Sequence, residues 1–160
     1  MIKNLLTRVV NDNYINTLNL VLDVKEYPSF VNWCTKTSLI TNPEFITIND
    51  LLINYNFQAE LTFSYSIFSY QYTSDINYFC NNDYAQIVIT SNNGPFKRMK
   101  NIWTINKINN NQSKIDFYIE IELKNLILEK IAMLNINFVS NTILTSFEKQ
   151  LQKKSKTQLT

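Results

Sequence analysis

The chain has 160 residues, a length that favours a single domain. Its net charge of +2 and its pI near 8.4 are too weakly basic to indicate nucleic acid binding. It contains no histidine and one glycine, Gly94. Without histidine, no Ser-His-Asp or Cys-His catalytic arrangement can form, and one glycine excludes a glycine-rich phosphate loop. Two distant cysteines, Cys34 and Cys80, cannot complete an ordinary zinc site. We therefore expect no metal and no catalytic cofactor.

The N-terminus and the hydropathy of the chain predict neither a signal peptide nor a membrane span. The N-terminus "MIKNLLTRVVNDNY" has no long apolar core followed by small residues, so no signal peptide is predicted. No run approaches the roughly 18 apolar residues that a membrane span needs. We expect a cytoplasmic protein whose two cysteines are buried as small apolar side chains.

The first quarter of the chain predicts a strand followed by two helical segments. Residues 2–10 have the composition of a short strand, and Asp12 stands where a helix N-cap belongs. Apolar residues then recur every three or four positions, which predicts a helix over 13–24. Pro28 suits the first position of a second, shorter helix.

The middle of the chain predicts an antiparallel meander with one apolar face and one wet face. The clearest strand begins at Phe57, where apolar and polar residues alternate. Asparagine-rich stretches between the strands are typical of turns. The segment 44–53 is apolar, but its pattern fits a strand and a helix equally. The other predicted strands cover 35–41, 70–79, 84–91, 98–107 and 113–123.

A helical period returns near the C-terminus and predicts a helix over 124–152, about 42 Å long at 1.5 Å per residue. Its apolar stripe consists of Ile127, Ile131, Leu134 and Phe138, continued by Val139, Ile143, Phe147 and Leu151. We expect residues 1–152 to form one α+β domain, in which a curved antiparallel sheet wraps around this helix, and 153–160 to form a basic tail. Because the stripe would be core, Leu134→Asp should unfold the protein.

A sheet wrapped around one helix leaves two possibilities for its interior. The aromatic residues of the strands either fill it as ordinary core or stand off from the helix and enclose an apolar cavity that binds an apolar ligand. The sequence leaves both open. The strand carboxylates fall on the wet face by alternation, which disfavours an enzyme; they are Glu60, Asp116, Glu120 and Glu122.

Two short motifs give a more specific indication of the protein family. The first, "EYPSFVNWC", contains Tyr27, Pro28, Phe30, Trp33 and Cys34, and the second, "GPFKRMKNIW", contains Gly94, Pro95, Phe96 and Trp103. Together with the terminal "SFEKQ" they resemble the coenzyme Q-binding protein and ribosome association toxin family, a branch of the START-like, polyketide cyclase-related superfamily. The resemblance runs in order over essentially the whole chain.

The resemblance implies a START-like helix-grip fold in which both motifs cover one end of a cavity. The ligand-binding residues expected on this basis, together with the apolar strand and helix faces, are Tyr27, Pro28, Phe30, Trp33, Phe63, Tyr65, Phe96, Trp103, Phe117, Ile131 and Leu134. A basic cluster beside the second motif is either a solvated face or a contact for membrane or RNA; it consists of Lys97, Arg98 and Lys100.

The resemblance also implies two functions. The first is non-enzymatic binding of ubiquinone or a similar polyprenyl lipid in support of respiratory electron transport, peripheral at the inner membrane or on the matrix side of an organelle. The second is a factor that binds the large ribosomal subunit and blocks subunit association. A polyketide aromatase or cyclase is a third, disfavoured possibility, and no DNA partner is expected.

Overall fold

The computed structural model describes residues 1–46 and 52–158, so residues 47–51 of the segment 44–53, whose pattern fits a strand and a helix equally, lie outside the described residues. A short 3₁₀ turn, Val24–Glu26, joins the first two helices. The elements in chain order are β1 (Ile2–Val10), α1 (Tyr14–Leu22), α2 (Tyr27–Phe30), β2 (Cys34–Leu39), β3 (Leu52–Tyr65), β4 (Phe68–Asn81), β5 (Tyr84–Ser91), β6 (Phe96–Asn109), β7 (Gln112–Leu123) and α3 (Leu126–Gln158).

The strands of the described residues form one seven-stranded antiparallel sheet in the order β1-β7-β6-β5-β4-β3-β2. The predicted α+β meander is therefore confirmed. The alternation from Phe57 onward is also confirmed, because Phe57, Ala59 and Leu61 are buried whereas Gln58 is exposed. A strand with this period places its apolar side chains on one face, and here that is the concave face of the sheet.

The N-terminal caps show how local polar side chains set the helix starts. Asn13, one residue later than predicted, caps α1 by accepting a hydrogen bond from the Asn16 amide, 2.8 Å away. Asp12 instead accepts from the Asn13 amide and from the Asn16 side chain. Asn125 caps α3 in the same way, accepting from the amides of the second and third helical residues.

The C-terminal helix is longer than predicted. It has 33 residues and a length of about 50 Å. The part of the expected basic tail that is described, up to Gln158, continues this helix. Ser155 donates a hydrogen bond to the Asp12 carboxylate at 3.0 Å, which fixes the last turns beside the start of α1. Arg8 of β1 holds the middle of the helix through Asn141, Thr145 and Glu148.

The predicted apolar stripe of α3 is correct in its second half and, apart from Ile131, wrong in its first. Phe147 and Leu151 are buried against the sheet as expected. In the first half, Ile127, Leu134 and Phe138 are 69%, 85% and 59% exposed. The residues that line the cavity there are Leu128, Ile131, Ala132, Asn135, Ile136 and Val139. A 3.6-residue period fits both stripes, and only contact with the sheet distinguishes them.

Within the described residues, no helix combines the length and apolar character needed to cross a bilayer.

Candidate ligand-binding cavity

An apolar cavity of about 260 Å³ lies between the concave face of the sheet and α3. This volume is just below the roughly 300–1,000 Å³ of typical ligand pockets. Its wall is formed by aromatic and aliphatic side chains from β3, β4, β6, β7 and α3, with α2 closing one end. Core side chains such as Phe57 and Phe147 fill part of the interior, and the apolar cavity lies beside them.

Seven of the predicted ligand-binding residues line this cavity. They converge from α2, three strands and α3, so the site forms only when the sheet has curved around the helix. They are Tyr27, Phe63, Tyr65, Phe96, Trp103, Phe117 and Ile131.

Four predicted residues do not line the cavity wall. Pro28 is exposed at the start of α2, and Leu134 is exposed on the outer side of α3. Phe30 packs against Tyr27 and Phe147 instead, and Trp33 lies outside the wall at its edge. The motif "EYPSFVNWC" therefore contributes two wall residues, Tyr27 and Val31, and otherwise serves to hold the cover in place.

Edge-to-face aromatic contacts anchor that cover to α3. The ring centroids of Tyr27 and Phe30 lie 5.3 Å and 5.1 Å from that of Phe147, distances at which such pairs stabilise beyond simple burial. The Tyr27 hydroxyl donates to the carbonyl of Val21 at the end of α1. Burial raises the pKa of Tyr27 well above its ordinary value, so this phenol stays protonated.

The cavity opens between the β3–β4 hairpin and the first half of α3. Wall residues there, including Tyr65, Phe68 and Ile131, are half-buried, whereas Leu61 and Phe117 deeper inside are buried. Trp33 spans one side of this mouth: its ring centroid lies 5.1 Å from that of Tyr65 and 6.1 Å from that of Phe138. Its backbone has φ of +67°, which an L-residue rarely adopts.

Few polar groups reach the interior. Asn101 is satisfied, because it accepts from the Trp103 indole at 2.8 Å and donates to the Tyr118 carbonyl. Tyr72 lines the cavity, and within the described residues its hydroxyl has no hydrogen-bond partner. The hydroxyl of Ser74, completely buried in the wall, also has no partner there. Burial, and secondarily the nearby Cys34 thiol, raise the pKa of Tyr72.

The sequence did not identify several wall residues, notably Tyr70, Tyr72 and Ile76 of β4. Aromatic and aliphatic residues of that strand alternate with polar ones, and Phe79 is the exception that points outward. The alternation places Tyr70, Tyr72 and Ile76 on one face and is the signal that could have found them. The pairing of Leu61 with Tyr72 and of Phe63 with Tyr70 across β3 and β4 puts this face on the cavity side.

The basic cluster lies on the outer face of β6, away from the cavity wall. The Glu122 carboxylate of β7 lies 2.9 Å from Arg98 and 3.7 Å from Lys97. Hydrogen bonding from Arg98 lowers the pKa of Glu122, so this carboxylate is ionised at neutral pH. Lys100 is exposed. Two of the three cations are thus partly neutralised.

Comparison with known proteins gives the family. Residues 17–148 match the family described as polyketide cyclase/dehydrase and lipid transport. A protein of Rickettsia prowazekii (strain Madrid E), named ribosome association toxin RatA, is 25% identical over 133 residues, covering 82% of this chain and 84% of the relative.

Solved structures agree on the fold. A START superfamily protein from Mycobacterium smegmatis has a TM-score of 0.77 at 13% identity, covering 94% of this chain and 97% of its own. An aromatase/cyclase from Streptomyces sp. R1128 has a TM-score of 0.74 at 10% identity, covering 96% and 94%. At these identities the two structures show the fold alone. With the match over residues 17–148, they confirm the expected START-like helix-grip fold, and the chain belongs to the polyketide cyclase/dehydrase and lipid transport family.

Proposed function

We propose that the protein binds ubiquinone or a similar polyprenyl lipid without chemically changing it, in support of respiratory electron transport. The observation that carries this proposal is the apolar cavity that α3 and the sheet enclose. The proposed place of action is the surface of the inner membrane facing the cytoplasm, or the matrix side in an organelle. Such a protein is needed because the tail of the ligand is costly to expose to water.

A polyprenyl tail needs a binding protein that shields it from water. At about 0.8 kcal/mol per CH₂, each isoprene unit costs roughly 3–4 kcal/mol to expose. The cavity volume of about 260 Å³ suits part of such a lipid. We infer that the rest of a long tail passes through the mouth and lies against apolar residues outside it.

The free hydroxyl of Tyr72 gives the cavity one polar contact for a ligand. Since this hydroxyl has no hydrogen-bond partner among the described residues, it is available to donate to a ligand carbonyl. A quinone head group carries such carbonyls. This supports a ligand with a hydrogen-bond acceptor attached to an apolar body.

The placement of the ionisable groups supports binding rather than catalysis. Among the described residues, the titratable side chains on the cavity wall are tyrosines. Three predicted wet-face carboxylates have outward partners: Asp116 accepts from Thr7, Glu120 from Tyr118, and Glu122 from Arg98. The aromatase/cyclase with the same fold is an enzyme. An enzyme that used general acid–base catalysis in such a cavity would have a carboxylate on the cavity wall.

A matched pair of substitutions in α3 tests the proposal. Asn135 lines the cavity, and Asn137, two residues on, is exposed. We expect Asn135→Phe to fill the cavity and abolish binding of a short-tailed ubiquinone analogue, measured by calorimetry, whereas Asn137→Phe binds like the original protein. Equal binding by both variants, each shown to be folded by circular dichroism, would refute a cavity-bound ligand.

A second candidate function rests on the Rickettsia relative and on the outer face of the sheet. We infer that a ribosome-binding factor would use the cations that surround Glu120 and Glu122, namely Lys3, Lys97, Arg98 and Lys100. Contacts to RNA phosphates weaken steeply with salt. Sedimentation of the protein with large ribosomal subunits at low salt, lost at high salt, would favour this function; absence of the protein from that fraction at low salt would exclude it.

A further inference from the structure

The first half of α3 presents an exposed apolar stripe beside the cavity mouth. It is formed by Ile127, Ile131, Leu134 and Phe138, which follow one another at three- and four-residue spacing, and we call it the mouth stripe. Ile131 also lines the cavity, and the other three are 59–85% exposed. Side chains at this spacing are neighbours on a helix surface, so they form an apolar patch rather than isolated surface residues.

The stripe continues across the mouth onto the β3–β4 hairpin. Phe138 contacts Trp33, and Trp33 contacts Tyr65, the last residue of β3. The next residues form the hairpin tip, where Ile67 is 89% exposed. Both sides of the opening therefore carry apolar side chains that face solvent.

The charges around this surface favour one kind of partner. Lys130 is exposed within the first half of α3, and residues 130–147 contain no acidic residue. The hairpin residues 65–70 carry no charge. The nearest carboxylate on the helix, Glu129, accepts a hydrogen bond from the Leu123 amide and so is tied to the end of β7. An apolar surface with a cation and without free carboxylates complements an anionic lipid bilayer.

We propose that the mouth stripe and the hairpin tip dock the protein on an anionic bilayer, with the cavity mouth facing the lipid. This inference rests on the proposed carrier function and adds to it the route of the ligand. A lipid tail then moves between bilayer and cavity without contact with water. The basic cluster of Lys97, Arg98 and Lys100 is not the main contact, because Glu122 neutralises part of it.

Two adjacent residues of α3 provide a matched test. Leu134 lies on the mouth stripe, whereas Met133 is also exposed, at 60%, but one helical step of about 100° away from it. Binding to vesicles of phosphatidylcholine and phosphatidylglycerol is measured by flotation. We expect the original protein and Met133→Asp to bind, and Leu134→Asp to bind about ten-fold more weakly or worse. Equal binding of the two variants, or none by the original protein, would overturn the docking proposal.

Two further measurements separate the docking proposal from its alternatives. Binding of a short-tailed ubiquinone analogue in vesicle-free solution should be the same in all three proteins. If the original protein does not bind the analogue, the carrier function is contradicted, and the docking surface is then tested by the flotation result alone. Sedimentation equilibrium without vesicles reports self-association. A dimer that Leu134→Asp dissociates would assign the stripe to a second copy and overturn the bilayer as its partner.

Discussion

Gly94 shows how a single residue positions the cavity wall. Its φ is +58°, and a Cβ at this position would meet the carbonyl oxygen of Gln71 and lie 2.9 Å from the Cβ of Tyr72. The glycine thus lets the β5–β6 turn press against β4. There Phe96 packs edge-to-face on Tyr72 with a centroid distance of 5.0 Å. The second sequence motif is explained by this close approach.

We predict that Gly94→Ala lowers the free energy of unfolding by roughly 1–3 kcal/mol, because the new methyl group meets backbone and the left-handed conformation is strained. Urea denaturation followed by circular dichroism measures the change. The exposed neighbour Asn92 supplies a control, since Asn92→Ala should stay within about 0.5 kcal/mol of the original protein. A Gly94→Ala protein as stable as this control would contradict the close approach.

Tyr72 is the residue to which we assign the polar end of the ligand. We predict that Tyr72→Phe weakens binding of a short-tailed ubiquinone analogue about five-fold, as expected for one neutral hydrogen bond. Binding of a hydrocarbon of similar size should not weaken. Equilibrium dialysis of both ligands measures the two affinities, and a similar loss for both would show that the ring, and not the hydroxyl, makes the contact.

At the scale of elements, α3 combines two apolar stripes with different roles. Leu144 is 1% exposed and Leu134 is 85% exposed on the same helix. We predict that Leu144→Ala lowers the free energy of unfolding by about 2–5 kcal/mol through the cavity it leaves. Leu134→Ala should change it by less than about 0.5 kcal/mol. Chemical denaturation of both variants checks this, and equal losses would mean that the helix is rotated from its assigned position.

The same helix shows where prediction from sequence reached its limit. Its existence and most of its length follow from a sustained 3.6-residue period. The period also selected Ile127, Leu134 and Phe138 as core, but they are exposed, so Leu134→Asp is not expected to unfold the protein. The sequence holds two overlapping apolar stripes, and hydrophobicity does not tell a stripe that packs on a sheet from one that faces a mouth.

The strands were predicted more reliably because their pattern has a single solution. Alternation from Phe57 to Tyr65 and from Ile115 to Leu123 placed Phe63 and Phe117 on the cavity side, and both line the cavity. A one-residue shift would put every apolar side chain into water, so register and face are determined together. In β4 the alternation is equally clear apart from Phe79, and its inner-face residue Tyr72 was not among the predicted ligand-binding residues.

For the whole molecule, the cavity follows from the curvature of the sheet around α3. This curvature also places weakly acidic side chains, a thiol and two phenols, in apolar surroundings. Burial raises the pKa of Cys34 from 9.0 to about 11, and it also raises the pKa values of Tyr27 and Tyr72. In the unfolded chain these groups ionise at their ordinary values. Above about pH 9 the folded state therefore binds more protons than the unfolded state, and stability falls as pH rises.

We predict that the free energy of unfolding declines between about pH 9 and pH 11, the interval between the ordinary and folded pKa of Cys34. Below this interval all three groups are protonated in both states and contribute no slope. Tyr72→Phe removes one of the acids and should make the decline shallower. Urea titrations at a series of pH values measure it; an identical pH dependence in Tyr72→Phe would argue against a buried phenol at this position.

The carrier function is tested most directly by native mass spectrometry of the protein purified from its own host, with extraction and identification of any bound lipid. We predict a population heavier than the chain by one lipid molecule, which is released on activation and identified as a polyprenyl quinone or a close relative. Protein recovered without lipid, and found instead with the large ribosomal subunit, would contradict the carrier function and favour the ribosome-binding one.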